Sequence, residues 1–424
     1  MPIRRLPLLL LLSAASAAAQ DAPATAAACS PGNVVCVELG LDGDGRPSYR
    51  VQRAGRQVLA PSRLGMILAD APKLERNLAI ADVRRATFDE TWEQPWGERR
   101  EVRNHYNELT VTLREKSGPG REFDVVFRLH DDGLGFRYAF DRQPALERLE
   151  IVEELTEFHL AEDATAWWIP AFEWNRAEYL YHATPLREVG DAQTPITLRM
   201  DDGLHVSIHE AALVDYAGMN LTRVEGRRLK AALTPGTSTR ANVSVATPFR
   251  TPWRTLQLGM RAGDLVESPL ILNLNEPNRL GDVSWVRPMK YVGVWWEMHM
   301  DLKSWASGPK HGATNENVRR HIDFAAEHGF GGVLVEGWNV GWDGDWFGNG
   351  GDFSFTRPYP DFDLEALSAH ARDKGVVLIG HHETSGHAAH YESQLGDAFD
   401  LYRRLGIPAV KTGYVADAGQ ADAI

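Results

Sequence analysis

The sequence predicts a β-rich N-terminal super-sandwich that is followed by the first half of a (β/α)8 TIM barrel. The first observation is that residues 33–275 hold many short apolar segments around Asp-Gly turns, with no long helical pattern between them. The second is that short apolar strands and amphipathic helices alternate beyond residue 288. We therefore divide the chain into an N-terminal segment (1–19), a β domain (20–280) and a partial barrel of about four strands (281–424).

The N-terminal segment has the order of a secretory signal peptide. Arg4 and Arg5 precede an apolar run to Leu12, and small residues end at Ala19. We expect a periplasmic or secreted bacterial protein, with no membrane attachment after cleavage. Cys29 and Cys36 are the only two cysteines, and an oxidising compartment would let them pair. The net charge of −13 argues against nucleic acid as a partner.

The β domain is predicted from alternation and turns. Residues 109–115, "LTVTLRE", alternate apolar and polar side chains. Residues 123–140 and 198–213 each read as two strands around an Asp-Gly turn. Many such strands favour a large antiparallel sandwich.

The second half is predicted as four strands with three helices between them. The strands are read at 290–298, 331–338, 376–383 and 408–415. The first helix has Thr314 as its cap and Gly329 as its stop, the second has Asp363 and Gly375, and the third covers 391–405. A doubly wound open sheet is the alternative, but no glycine-rich phosphate loop follows the first strand, and this favours the barrel.

Polar side chains follow the apolar part of each of these strands. They are Glu297 and His299, then Glu336, then His381, His382 and Glu383, and finally Lys411. Active sites of such barrels lie at this edge, and paired carboxyl groups there suit glycoside hydrolysis. Seven of the 13 tryptophans lie between Trp285 and Trp346, and indole faces suit sugar rings. Trp296 is a predicted sugar contact, with a core position as the alternative; structural salt bridges are the alternative for Glu336 and Glu383.

Several long blocks resemble glycoside hydrolase family 97. In the second half these are "KYVGVWWEMH", "HGATNENVRRHIDFAAEHGFGGVLVEGWN", "PYPDFD", "HHETSG" and "VKTGYV". In the first half "AWWIPAFEWNRAEYLY" and "DDGLHVSIHEAALVDYAGMNL" are similar to that family's N-terminal domain. The resemblance covers nearly everything after the predicted signal peptide.

The resemblance implies roles for particular residues. Glu383 of "HHET" matches the general base of the family's inverting branch, which orients the attacking water. His381, Lys411 and Glu336 match substrate-binding positions. Glu178 of "NRAEY" matches a ligand of a Ca²⁺ ion, a cation that prefers carboxylate oxygens.

The resemblance also bears on the stereochemistry. Retaining, galactosidase-like members carry an aspartate nucleophile at the end of the fourth strand, where this chain has Gly413. Asp417 lies past that strand end. We therefore expect an inverting, calcium-assisted α-glucosidase acting on α-linked oligosaccharides, with a retaining α-galactosidase of the same family as the alternative.

The resemblance further implies that the general acid and the other calcium ligands lie in a later half of the barrel. We expect this chain to be an incomplete copy of a longer enzyme and to be inactive or nearly so.

Two other classes of protein are alternatives: a non-catalytic carbohydrate-binding protein and a hydrolase with a metal on His381 and His382. Adjacent histidines on a strand point to opposite faces, which argues against the metal site.

Overall fold

The computed structural model describes residues 25–173, 179–235 and 240–413. The signal-peptide prediction (1–19) and Asp417 lie outside these ranges. Within them, no helix is both long and apolar enough to cross a membrane.

Twenty strands form the described part of the β domain, in three antiparallel sheets. The first sheet has the order β1-β2-β3-β4-β11-β17-β16, the second has the order β18-β10-β5, and the third has the order β13-β12-β14-β15-β20-β9-β8-β7-β6 with β19 beside β9. The strands are β1 (Thr25–Cys29), β2 (Val35–Leu41), β3 (Pro47–Arg53), β4 (Arg56–Arg63), β5 (Met66–Leu68), β6 (Leu78–Glu93), β7 (Glu101–Glu115), β8 (Glu122–His130), β9 (Gly133–Phe140), β10 (Arg148–Glu154), β11 (Glu157–Leu160), β12 (Ala164–Trp168), β13 (His182–Pro185), β14 (Ile196–Met200), β15 (His205–Ala211), β16 (Met219–Glu225), β17 (Arg228–Leu233), β18 (Val243–Ala246), β19 (Phe249–Arg250) and β20 (Trp253–Gly259).

The two large sheets share one apolar core. Along β2 and β8 buried and partly exposed side chains alternate, so each strand gives one face to this core. Tyr49 of the first sheet contacts Phe136 of the third, with ring centroids 4.8 Å apart. The predicted hairpins are confirmed, because β8 pairs with β9 and β14 with β15. A Cys29–Cys36 disulfide joins β1 to β2.

A charged group lies inside the β domain. Arg254 of β20 donates to Glu210 of β15 at 2.7 Å and to Glu154 of β10 at 2.5 and 2.9 Å. Arg254 and Glu154 are fully buried. The three side chains satisfy one another, as buried ions must.

The second half of the chain alternates strands and helices around a parallel sheet. Its four strands pair in the order of the sequence, β21-β22-β23-β24, within the described residues. The strands are β21 (Tyr291–Gly293), β22 (Gly332–Leu334), β23 (Val377–Glu383) and β24 (Ala409–Gly413). The α-helices among the described residues are α1 (Ala262–Glu267), α2 (Leu270–Leu274), α3 (Trp295–His299), α4 (Asn315–Glu327), α5 (Leu364–Asp373) and α6 (Ala388–Leu405).

Helices α4 and α5 begin where the sequence predicts, while α6 begins three residues earlier than predicted, at Ala388. Thr314 and Asp363 accept hydrogen bonds from backbone N–H groups in the first turns of α4 and α5. Val318, Ile322 and Ala325 of α4 are buried in a core that also contains strand residues of the parallel sheet. This packing fixes the strand ends and hence the side chains that follow them.

Candidate active site

Glu336 lies two residues beyond β22 and is held by two donors. Its carboxylate accepts a hydrogen bond from Lys411 Nζ at 2.7 Å on one oxygen and from Trp305 Nε1 at 2.8 Å on the other. Burial raises the pKa of Glu336, but His381 and these two hydrogen bonds outweigh it, and the net pKa lies below its usual value. Glu336 is therefore an ionised acceptor at neutral pH.

The two adjacent histidines of β23 face opposite sides of the sheet. His381 Nε2 lies 3.8 Å from the Glu336 carboxylate, and its ring stacks on Trp342. His382 faces α6, where it stacks on Tyr402 and hydrogen-bonds Tyr391 at 3.0 Å. Burial lowers the pKa of each histidine to about 4, so both are uncharged at pH 7. The two rings cannot share one metal ion.

Glu383 ends β23 and is buried. Ser385 has a left-handed backbone (φ 46°) and donates its N–H to Glu383 Oε1 at 2.9 Å. Burial and the Glu336 charge raise the pKa of Glu383 to about 7, against the backbone N–H donors and Lys411. This carboxyl group can therefore take up a proton near neutral pH.

Gly413 of β24 leaves the space that the Glu383 carboxylate occupies. It lies opposite Glu383 in the strand register. A Cβ atom at this position would lie 2.3 Å from Glu383 Oε2 and 3.2 Å from His381 Nε2. A larger side chain at 413 is thus incompatible with the present position of Glu383.

Two tryptophans of the site were not singled out from the sequence. Trp305 donates to Glu336, and Trp342 stacks between Trp305 and His381, with centroid distances of 6.2 and 5.8 Å. The concentration of tryptophan in this part of the sequence was the available signal. It could not show which indoles reach the carboxylates.

Two other sequence expectations have different outcomes. The predicted strand over residues 290–298 is wrong beyond Gly293, because the chain turns into α3. This turns Glu297 to Asn317 of α4, which donates to it at 2.6 Å. Trp296, also on α3, is 60 % exposed and stacks on Trp295, whose ring lies 5.3 Å from Lys411 Nζ. A sugar contact by Trp296 stays a prediction.

The predicted calcium ligand Glu178 lies outside the described residues. Within those residues, no group of three or more His, Cys, Asp or Glu side chains could hold a metal ion.

The site thus combines two buried carboxyl groups whose pKa values are shifted in opposite directions. Glu336 stays ionised, while Glu383 titrates near neutrality. Two carboxyl groups with separated pKa values can act differently, one as a fixed hydrogen-bond acceptor and the other as a group that exchanges protons near neutral pH. Lys411, His381 and the indole rings of Trp305 and Trp342 lie around them.

The family models match both halves of this chain. The glycosyl hydrolase 97 N-terminal model covers residues 29–277, and the glycoside hydrolase 97 model covers residues 295–423. The chain belongs to glycoside hydrolase family 97, which confirms the resemblance seen in the sequence.

Solved structures and curated proteins agree with this family. A family 97 enzyme from Pseudoalteromonas sp. strain K8, solved in complex with acarbose and as a variant with panose, is 48% identical with a TM-score of 0.89. The match covers 92% of this chain and 59% of that enzyme. A retaining α-galactosidase from Bacteroides thetaiotaomicron is 24% identical over 87% of this chain and 57% of its own length. A probable retaining α-galactosidase from Streptomyces bingchenggensis is 28% identical over 99% and 63%. This chain therefore spans about three-fifths of the length of these relatives.

Proposed function

We propose that the chain carries the general-base half of an inverting glycoside hydrolase that cleaves α-glucosidic bonds in oligosaccharides. In this proposal Glu383 removes a proton from a water molecule as that water attacks the anomeric carbon. Glu336, Lys411 and His381 bind the sugar. No covalent bond forms between sugar and protein.

The observation that carries this proposal is the pairing of Glu383 with Gly413. The position of the retaining branch's nucleophile holds no side chain here, and Glu383 Oε2 lies where a Cβ atom at 413 would need to be. A buried carboxyl group with a pKa near 7 suits proton abstraction from water. The oligosaccharide complexes of the Pseudoalteromonas enzyme support a carbohydrate substrate.

A retaining α-galactosidase is the second candidate. It is favoured by the names of the two curated relatives, which are 24% and 28% identical. Retention needs a nucleophile close to the acid/base carboxyl group, and Gly413 cannot supply one. We therefore rank this function below inversion.

The test uses α-glucosyl fluoride, because fluoride leaves without needing protonation by a general acid. We expect this chain to be inactive or nearly so on substrates that need a general acid. From the fluoride we expect it to release β-glucose first, seen by proton NMR, with a rate that rises as pH rises through about 7. Glu383→Gln should lower the rate roughly 10²- to 10⁴-fold, since it removes the general base.

The matched control is Glu392→Gln, which changes an exposed glutamate of α6. This variant should keep the rate of the unchanged chain. α-Glucose as the first product, or preferred turnover of α-galactosyl fluoride with retention, would favour the second candidate. No turnover of either fluoride would refute a catalytic role for this chain.

Three further predictions belong to this proposal. We propose that β21–β24 and their helices form the first half of a (β/α)8 barrel, supported by the sequential parallel order. Export to the periplasm or medium is supported by the Cys29–Cys36 disulfide and by the N-terminal sequence pattern. Calcium bound through Glu178 rests on the family resemblance alone.

A further inference from the structure

We propose that Trp305 is a positioning residue that keeps Glu336 ionised and fixed in orientation for sugar binding, within a loop that side-chain hydrogen bonds hold in place. The loop comprises residues 304–312, and we call it the Trp305 loop. This inference rests on the proposed function for its sugar ligand. The effect of Trp305 on the ionisation of Glu336 does not depend on any ligand.

The contact itself is a hydrogen bond to a charged acceptor. Trp305 Nε1 lies 2.8 Å from Glu336 Oε2, while Lys411 occupies the other oxygen at 2.7 Å. An indole N–H can only donate, and its hydrogen bond is stronger to a charged carboxylate than to the neutral acid, so it favours the ionised form of Glu336. His381 Nε2 lies 3.8 Å from Glu336, beyond hydrogen-bond distance, so Lys411 and Trp305 are the hydrogen-bond donors that hold this carboxylate.

The backbone around Glu336 fits the Trp305 loop closely. Gly337 has a left-handed φ of 77°, and a Cβ atom on it would lie 3.1 Å from the Trp305 carbonyl oxygen and 3.2 Å from its Cα. Glycine therefore lets the loop backbone lie against the end of β22. This approach brings the indole within reach of the neighbouring carboxylate.

Side chains fasten the loop at two further points. Buried His311 joins the Gly337 carbonyl oxygen (2.9 Å) to Asp361 (2.8 Å). Asp343 accepts from the backbone N–H and the hydroxyl of Ser307 at 2.8 and 3.1 Å. These bonds hold the loop backbone against residues 337, 343 and 361, and so they fix where the Trp305 indole meets Glu336.

The ring of Trp305 adds a surface beside the carboxylate. It is half-buried, stacks with Trp342 and meets His299 edge-on at 5.0 Å. Replacing the indole by a phenyl ring should preserve most of this packing and remove only the donor. Trp305→Phe is therefore the informative change.

The first experiment measures the free energy of unfolding of the full chain by urea, from about pH 3 to pH 7. A lowered pKa makes a carboxylate contribute stability above its unfolded pKa, and that stability is lost as pH falls through the folded pKa. Trp305→Phe should raise the pKa of Glu336, so the acid loss of stability should begin about one pH unit higher. In a Glu336→Gln background, Trp305→Phe should leave the pH dependence unchanged.

The second experiment measures panose binding by calorimetry. Trp305→Phe should weaken binding severalfold near pH 4, with a limit of about tenfold for a pKa shift of one unit, and hardly at all near pH 7, where Glu336 is ionised in both chains. Trp285→Phe is the matched control, because this exposed indole donates only to a backbone carbonyl in its own turn. It should change neither measurement.

The outcomes separate this inference from the proposed function. The positioning role is overturned, whatever the activity, if the acid loss of stability in Trp305→Phe begins at the same pH as in the unchanged chain. It is also overturned if Trp305→Phe causes an equal shift in the Glu336→Gln background. If the acid loss of stability shifts in Trp305→Phe but the unchanged chain does not bind panose, the electrostatic role of Trp305 is supported and the sugar-binding role of Glu336 is overturned.

Discussion

Glu383 is the residue at which burial and function conflict most directly. Its pKa of about 7 in the folded chain compares with an ordinary value of 4.5. Between these pH values the folded state binds more protons than the unfolded state, so the stability from protonated Glu383 is lost as pH rises through about 7. Ionising Glu383, which the proposed function requires, therefore lowers the stability of the folded state.

Glu383→Gln should remove this cost, because the amide has a similar shape and never ionises. Near pH 8 we expect the variant to be more stable than the unchanged chain by up to about 3 kcal/mol, while near pH 4 the two should be alike. Urea unfolding at several pH values measures this. Parallel pH profiles for the two chains would contradict the raised pKa, and Glu392→Gln again provides the control.

At the scale of the elements, the register of β23 and β24 decides whether Glu383 fits. Gly413 has no left-handed backbone, so alanine is allowed there by conformation and excluded only by contact. Gly413→Ala should displace the Glu383 carboxylate and lower turnover of α-glucosyl fluoride roughly 10- to 100-fold, since small misplacements of reacting groups are costly.

The control for this prediction is Gly396→Ala in α6, where a Cβ atom would meet nothing within 4 Å. That change should leave turnover unaltered. Full activity in Gly413→Ala would show that the carboxylate has room to move, and would weaken the argument for inversion.

The elements differ in how far the sequence predicts them. The starts of α4 and α5 depend on local hydrogen bonds to the side chains of Thr314 and Asp363, and these capping residues can be recognised in the sequence. The change from strand to helix within residues 290–298 cannot be predicted in this way, because a short buried strand and a short buried helix have similar apolar sequences. The Trp305–Glu336 bond joins residues 31 positions apart through a loop, and no local pattern specifies it.

At the scale of the whole molecule, one covalent bond closes the first hairpin of the β domain. The Cys29–Cys36 disulfide restricts a short loop, which in the chain-entropy model contributes about 2.5 kcal/mol. Replacing both cysteines by serine should lower the free energy of unfolding by about this amount. Reductant should destabilise the unchanged chain to the same level and leave the variant unaffected; equal stability of oxidised and reduced chains would contradict this.

The buried Arg254 group has a consequence for how the β domain reaches its topology. Glu154, Glu210 and Arg254 are distant in sequence, and Glu210 pairs directly with Arg254 across β15 and β20. A register slip of one residue in β20 would turn the Arg254 guanidinium to the other face of the sheet. Both glutamates would then be buried without a cation, at a penalty of several kcal/mol. The buried ion group thus disfavours other strand registers, because in each of them the charged side chains would lose their partners.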